Sequence, residues 1–570
     1  MLWRSTQVPD RLVRSLVSQL KVDPVLARLL CRMGIDEADT ARRFLQPKLR
    51  ELGDPFRLNN MREAVDRIRR AMSRNESILI IGDYDVDGVT STTLLVHLLS
   101  RFCIIPRFVV PRRLEEGYGL SRAVIDRGIK KKRPDLVISV DCGTNSIDEV
   151  RYLRDQGIDV VVLDHHRSTI DEALPAILVN PHVNDAEDAP WKNLCAVGLV
   201  FKVVHAIIKD LREEGDPIAE KVSLKDYLDL VALGTIADLV PLVGENRILA
   251  HRGLRMLEQT RRRGLHALFQ VSGMRLGTRI LPTDVSFKLG PRINASGRLA
   301  GAEITVKMLL SKDVSGSLEI AQSLDEMNRE RQDIERMMAR DADEHIESSL
   351  KDKHGYVLYN EEWHPGVVGI VAGRVSRKYN IPTIVLGREG SLAKGSGRSI
   401  PGVNLVEVLA GCDDLLESWG GHPMAVGISL KQSCVSEFQL RFDAAVRKAL
   451  DGEPYEPEVE ITDYIQVEDV GEELIEALEM MHPFGQGNPE PVFGLRRVRL
   501  ESMPEVFGDH FRFYLRGKRG NVVQGVAWKM ADRLPPVDTP IDLAVKVTRN
   551  EFNNRRYLQM ELLDWRLPKA

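Results

Sequence analysis

Residues 78–92 read ILIIGDYDVDGVTST. The apolar run Ile78-Leu79-Ile80-Ile81 suits a buried strand, and Gly88 to Phe102 follows with the period of a helix. Between them lies a short turn that carries Asp83, Asp85 and Asp87. The same alternation continues downstream. A strand from Ile104 to Val110 precedes a helix from Arg122 to Lys132, Leu136 to Val140 precedes a helix near Ile147 to Asp155, and Asp159 to Leu163 supplies a further strand. Repeated βα units of this length predict an α/β fold with a parallel sheet flanked by helices on both faces.

At 570 residues the chain exceeds what one hydrophobic core ordinarily supports, so several domains are expected. Residues 1–60 read as an N-terminal extension of short helices and turns, and residues 61–312 as the domain built on the βα units. A charged helix from about Ser317 to Lys351 carries a narrow apolar stripe (Leu318, Ala321, Leu324, Met327, Ile334, Met337 and Met338) and reads as a connecting element, 313–352. A second α/β unit occupies 353–452, with strand Tyr356–Tyr359, helix Val367–Lys378, strand Thr383–Leu386 and helices near 404–418 and 435–450. Residues 453–570 combine an acidic connector with a strand-like, turn-rich segment. There Phe507, Phe511, Phe513, Tyr514, Trp528, Phe552 and Tyr557 stand among basic residues. Short strands of that composition suit a small OB-like β-barrel, a fold that can stack single-stranded bases on aromatic rings.

With 43% hydrophobic and 28% charged residues, the composition is that of an ordinary globular protein and argues against disorder. Six scattered cysteines without a CxxC pair argue against a zinc ribbon or a disulfide framework. No apolar run approaches the roughly 20 residues of a membrane span, and the first residues lack the apolar stretch of a signal peptide. A cytoplasmic protein without membrane contact is expected. The net charge of -4 does not itself attract a polyanion, so any contact with nucleic acid must be local. Residues 451–495 hold 13 acidic and no basic side chains, whereas residues 496–570 hold 15 basic and 9 acidic ones, a local excess of positive charge.

The chemistry concentrates where predicted strands end. The first strand runs into Asp83, Asp85 and Asp87, the third into Asp141-Cys142-Gly143, and the fourth into Asp164-His165-His166. In open α/β sheets ligands bind beyond the carboxyl ends of the strands, so these groups should converge. Carboxylates gathered in this way repel one another unless a cation lies between them. Asp238, at the end of the apolar segment Leu233 to Ala237, adds another carboxylate. Carboxylates with imidazole suit Mn²⁺ or Mg²⁺, and there are enough donors for two divalent ions. A calcium loop of the EF-hand type does not fit, because its twelfth position is Leu94 instead of a glutamate. Taken alone, Asp-His-His is a surface turn and Asp238 a helix cap; their joint placement at strand ends is what points to a site.

GDYDVDGVTST, DCG, DHH and GTIADLVPL, in this order, resemble the four motifs of the DHH phosphoesterases. Further segments resemble the RecJ branch of that family: VPRRLEEGYGL (110–120), GPRINASGRL (290–299), LDEMNRERQDIE (324–335), WHPGVVGIVAGR (363–374), GSGRS (395–399), GGHPMAVG (420–427) and HPFGQGNPEPVF (482–493). The resemblance runs from about residue 78 to 495. It implies a DHH catalytic domain, a DHH-associated domain over 353–452, and a 5′→3′ exonuclease acting on single-stranded DNA in recombination and repair. A single-strand-binding protein and a RecQ-type helicase are the partners it implies.

Carried over by this resemblance, Asp85, Asp87, Asp141, His165 and Asp238 are the metal ligands. Asp83 and His166 complete the site or touch the scissile phosphate, and Asp164 orients an imidazole. Arg113, Arg298, Ser396 and Arg398 fall in segments that resemble phosphate-contacting positions, where a guanidinium can grip two oxygens of a 5′-phosphate. His422, in the glycine-flanked GGH, is implied to face the substrate. Where the inorganic pyrophosphatase branch carries its first histidine ligand, this chain has Ile80-Ile81-Gly82, which fits the exonuclease branch better.

Two other readings stay open on the sequence. One is a DHH-type oligonucleotide or cyclic-dinucleotide phosphodiesterase, for which the 75-residue basic, aromatic tail would have no use. The other is a catalytically dead scaffold, which would be expected to have lost acidic ligands.

Overall fold

The computed structural model describes residues 1–568 except 118, 170, 171, 300, 519, 553 and 554, with the side chains of residues 113, 114, 184, 298, 299, 550–552, 555 and 556 also excepted. Strand β1 (Ile78–Gly82) is buried along its whole length, as an unbroken apolar run requires when helices cover both faces. It is joined by β2 (Arg107–Val109), β3 (Leu136–Val140), β4 (Asp159–Leu163) and β5 (Ile177–Val179). The order is β2-β1-β3-β4-β5, and every neighbouring pair is parallel. The chain leaves β1 for β2 on one side and returns to β3 on the other. The resulting crevice opens at the carboxyl ends of β1 and β3.

Helix α1 (Val86–Arg101) follows β1 directly, with Asp85 as its cap: the carboxylate accepts the Gly88 amide at 3.0 Å. Helices α2 (Ala196–Glu213) and α3 (Leu228–Ala237) pack with α1 into one apolar core against one face of the sheet. A smaller core, built around Leu79, Ile81, Val137 and Val160, fills the other face.

Helix α4 (Val314–His345) contributes to two cores. Its Ala321 and Leu324 belong to the first core, while Met338 and Ala342 belong to that of the next domain. Met337 departs from the expected stripe and is 50% exposed, because it faces away from both cores.

The second domain holds a five-stranded sheet. The expected helix at 404–418 is cut short: helix Leu405–Ala410 gives way to a strand, Leu416–His422. That strand pairs with Ala425–Lys431, which in turn pairs with Leu392–Arg398. Leu392–Arg398 and Leu416–His422, rich in glycine and polar residues, carry little apolar periodicity and are held by backbone ladders, whereas Val426, Ile428 and Leu430 of the strand between them alternate into the core.

The C-terminal unit is a seven-stranded sheet over residues 463–566. The acidic stretch is part of it: helix Glu472–Met481 buries Leu474, Ile475 and Leu478 in a core shared with Phe493, Phe511 and Phe513. Val13, Leu16, Leu26, Leu30 and Phe44 belong to that same core, so the first helices of the chain pack against its last domain. Strand Leu2–Arg4 also pairs in parallel with Glu458–Glu460. Of the tail aromatics, Phe511 and Phe513 are core, Phe507 and Trp528 are 39% and 48% exposed, and Phe552 lies outside the described side chains.

Candidate metal centre

The turn after β1 is built tightly. Asp83 accepts the Tyr84 amide at 2.8 Å. A Cβ on Gly88 would lie 2.4 Å from the Asp83 carbonyl oxygen, so only glycine lets the helix start this close. Asp87, one residue into α1, is gripped by the first amides of α2. Ala196 and Val197 donate to its two oxygens at 2.7 and 2.8 Å. A helix N-terminus thus compensates a carboxylate that is only 1% exposed. Asp141, at the end of β3, takes a left-handed φ of 64°, which for a residue with a side chain stores backbone strain of the kind found at functional sites.

These groups come together with His165 and Asp238. His165 Nε2 lies 3.2 Å from Asp141, 3.6 Å from Asp238 and 3.8 Å from Asp87. Three overlapping sets have donor atoms within 4.8 Å of one another: Asp83, Asp85 and Asp141; Asp87, His165 and Asp238; and Asp141, His165 and His166. Asp141 and His165 each belong to two of the sets.

Two tests bear on a cation here. Asp141 Oδ1 and His165 Nε2 are buried and make no hydrogen bond among the described residues. Buried polar atoms are rarely left so. Burial and mutual repulsion also act on the acids. Asp83 is pushed up to about 7, by burial and then Asp85. Asp87 likewise reaches about 7, by burial and Asp85, and Asp238 about 9, by burial, Asp87 and Asp85. Asp141 is raised well above the carboxylate range by burial and by Asp87, Asp85, Asp238 and Asp83. Burial, aided by His166, holds His165 at about 4 and therefore neutral. Crowded carboxylates around a neutral imidazole with free donor atoms fit divalent metal ions.

Asp164 stands apart from this set. Burial would raise it, but bonds from His166 and Thr144 outweigh burial and hold it below the carboxylate range. Its Oδ1 accepts the His165 and His166 amides and meets His166 Nδ1 at 2.7 Å. Its Oδ2 accepts the Thr144 amide at 3.0 Å and hydroxyl at 2.6 Å. Burial pulls His166 down, but Asp164 more than offsets it and carries the imidazole up to about 9. Nδ1 is thereby engaged and Nε2 is left as the free nitrogen. Asn180, buried at the end of β5, donates to Thr144 Oγ1 and to the His166 carbonyl, both at 2.8 Å. Sequence reading missed Thr144, Asn180 and the two α2 amides, because such residues are common and only topology brings them here.

The remaining expected residues lie elsewhere. Arg113 opens the short helix Arg113–Glu116, which touches helix Gly290–Leu299, where Arg298 sits; both arginine side chains lie outside the described residues. Ser396 and Arg398 share a strand of the second domain, with Arg398 Nη1 donating to Ser396 Oγ at 2.7 Å. Both pack on Gly369 at the start of helix Val368–Tyr379, where a Cβ would stand 3.3 Å from each. His422 ends an exposed strand of that sheet.

Three family models match the chain: DHH family, N-terminal domain, over residues 77–235; DHHA1 domain over 352–448; and RecJ OB domain over 462–564. The single-stranded-DNA-specific exonuclease RecJ of Bacillus subtilis (strain 168) is 36% identical, over 99% of this chain and 70% of its own. The corresponding protein of Haemophilus influenzae is 35% identical, over 95% and 96%. The crystal structure of RecJ in complex with Mn²⁺ from Thermus thermophilus is similar with a TM-score of 0.84 and 29% identity, covering all of this chain and 80% of that one. A second RecJ structure from that organism, in complex with Mg²⁺, gives 0.79 and 27%.

Proposed function

The chain belongs to the RecJ family of DHH phosphoesterases, and on that footing we propose that it degrades single-stranded DNA from the 5′ end, releasing 5′-mononucleotides by hydrolysis at two divalent metal ions. The observation that carries this reading is the convergence of Asp83, Asp85, Asp87, Asp141, His165 and Asp238 in overlapping ligand sets that share Asp141 and His165. Donors that belong to more than one set suit two divalent ions. Asp85, Asp87, Asp141, His165 and Asp238 would hold them, with Asp83 at the edge. Mn²⁺ and Mg²⁺ both suit this donor set. Their contribution when bound is activation of water for in-line attack and neutralisation of charge on the phosphate oxygens.

The protein's own groups do the rest. The α2 amides fix Asp87 so that its oxygens cannot swing away. Asp164 locks His166 through Nδ1, which presents Nε2 as a donor to a phosphate oxygen. Arg113, Arg298, Ser396 and Arg398 would take the terminal 5′-phosphate and set the polarity, with His422 on the substrate from the second domain. The C-terminal unit would guide the strand. Its exposed Phe507 and Trp528 form an edge-to-face cluster with the half-buried His510, with centroids 5.0–6.3 Å apart, and Arg512 lies 5.6 Å from the Phe507 ring. Family membership supports a setting in recombination and repair, with a single-strand-binding protein and a RecQ-type helicase as collaborators.

The test is digestion of 5′-labelled and 3′-labelled single strands with Mn²⁺ or EDTA, beside Asp141→Ala. Immediate release of labelled 5′-mononucleotide, abolished by EDTA and by the substitution, is expected. Turnover of dinucleotides or cyclic dinucleotides without attack on longer strands would overturn the reading in favour of a small-substrate phosphodiesterase.

A further inference from the structure

A cavity of about 700 Å³ opens beside the centre, past the ends of β4 and β5, a size within the range of small-ligand sites. Two of its walls support the metal centre. Thr144, Arg167 and Ser168 come from the segments whose side chains and amides surround Asp164, and His182 follows Asn180, which donates to the His166 carbonyl. Lys192 and Asn193 lead into α2, whose first amides hold Asp87. Leu174 and Leu178 add apolar surface.

The charges in the lining cancel except for one. Glu187 pairs with Lys192 at 3.0 Å, and Glu172 pairs with Arg151. Arg167, directly after the Asp-His-His run, has an exposed guanidinium with no hydrogen bond or ion pair among the described residues. An unpaired guanidinium in a largely polar cavity that also offers Leu174, Leu178 and Val183 suits a nucleotide, with the fork on a phosphodiester and the apolar side chains against the base or sugar.

Topology says which nucleotide. In the order β2-β1-β3-β4-β5, the Arg113 segment follows β2 at one end, the metal centre lies at β1, β3 and β4, and this cavity follows β4 and β5 at the other end. We propose that the cavity binds the nucleotide on the 3′ side of the scissile phosphate, with Arg167 on the next phosphodiester along the strand. This rests on the exonuclease reading above, in which the 5′ end lies toward Arg113.

The test pairs a protein change with a substrate change. Arg167→Ala and Arg167→Lys are assayed with Mn²⁺ on 5′-phosphorylated single strands, either all-phosphate or with one neutral methylphosphonate at the linkage between the second and third nucleotides. The neutral linkage should raise KM about tenfold for the unsubstituted protein. Arg167→Ala should raise it similarly on the normal strand, with no added effect of the neutral linkage, and Arg167→Lys should recover part of the loss. Unchanged melting temperatures keep the comparison free of misfolding. If the methylphosphonate costs the unsubstituted protein nothing, or costs Arg167→Ala just as much, the cavity does not hold that phosphodiester. Either of those results, alongside normal 5′ release by the unsubstituted protein, leaves the exonuclease reading standing. Absence of 5′ release by the unsubstituted protein would remove both.

Discussion

Asp141 and Asp164 are equally buried, at 2% and 1% exposure, yet the structure treats them in opposite ways. Asp164 is saturated by donors from Thr144, His165 and His166 and held in its charged form. Asp141 keeps an unpartnered oxygen among other acids and is forced toward its protonated form. Their amide variants should therefore shift stability in opposite directions when metal is stripped with EDTA. Asp164→Asn loses charge-assisted bonds and should destabilise by about 1–3 kcal/mol. Asp141→Asn has no carboxylate to neutralise on burial and should stabilise on the order of 1 kcal/mol, since asparagine tolerates the left-handed backbone. Denaturant unfolding reads both signs, and destabilisation by both variants would contradict this assignment. The acids themselves were legible in the sequence because each stands where an apolar run stops. Thr144 and Asn180 were not, since nothing in their local sequence sets them apart.

At the level of the element, α3 sets the packing around Asp87. Its residues from Leu228 to Ile236 are all buried, and Gly234 faces α1 and α2. A Cβ there would stand 2.5 Å from Thr90 Oγ1, 2.7 Å from Val197 Cγ1 and 3.0 Å from Asp87 Oδ1. Gly234→Ala should cost about 1–3 kcal/mol through overpacking. It should also weaken Mn²⁺ binding, because the cheapest relief moves Asp87 or the amides that hold it. A variant with normal stability and normal Mn²⁺ affinity would show that the contact is slack. Periodicity could not mark α3, because it is buried on every side; only its apolar end, Leu233 to Ala237, stood out in the sequence. The strands Leu392–Arg398 and Leu416–His422 were not legible by periodicity either, because glycines and polar residues dominate them and their order comes from backbone pairing.

For the whole molecule, the junction between the catalytic domain and the C-terminal unit is built from buried cations and imidazoles. Arg247 donates to the carbonyls of Phe44, Met481 and His482, and His251 Nδ1 lies 3.3 Å from the His482 carbonyl. Burial holds His251 and His482 at about 4, with Arg247, Arg252, Arg255 and Arg279 adding to the effect. These folded values lie below the ordinary 6.5. As pH falls, the unfolded chain takes up protons that the folded junction refuses, so stability is lost between about 6.5 and about 4 and levels off below. Amide exchange at residues 479–486 should accelerate over that window, and His482→Gln should reduce the acceleration; no change in exchange would refute the junction's sensitivity. The packing of residues 13–44 onto residues 465–562 was not legible, since segments at opposite ends of the chain meet only through the fold.

The carboxylate cluster at the ends of β1, β3 and β4 fits a site built to hold divalent metal. Calorimetric titration with Mn²⁺ tests that role most directly, comparing the unsubstituted chain with Asp141→Ala, which removes the donor common to two ligand sets. About two ions per chain are expected, with release of protons from the raised carboxyls as they bind, and loss of at least one ion in the variant. Equal stoichiometry and affinity in the two proteins would place the metal elsewhere and contradict that role.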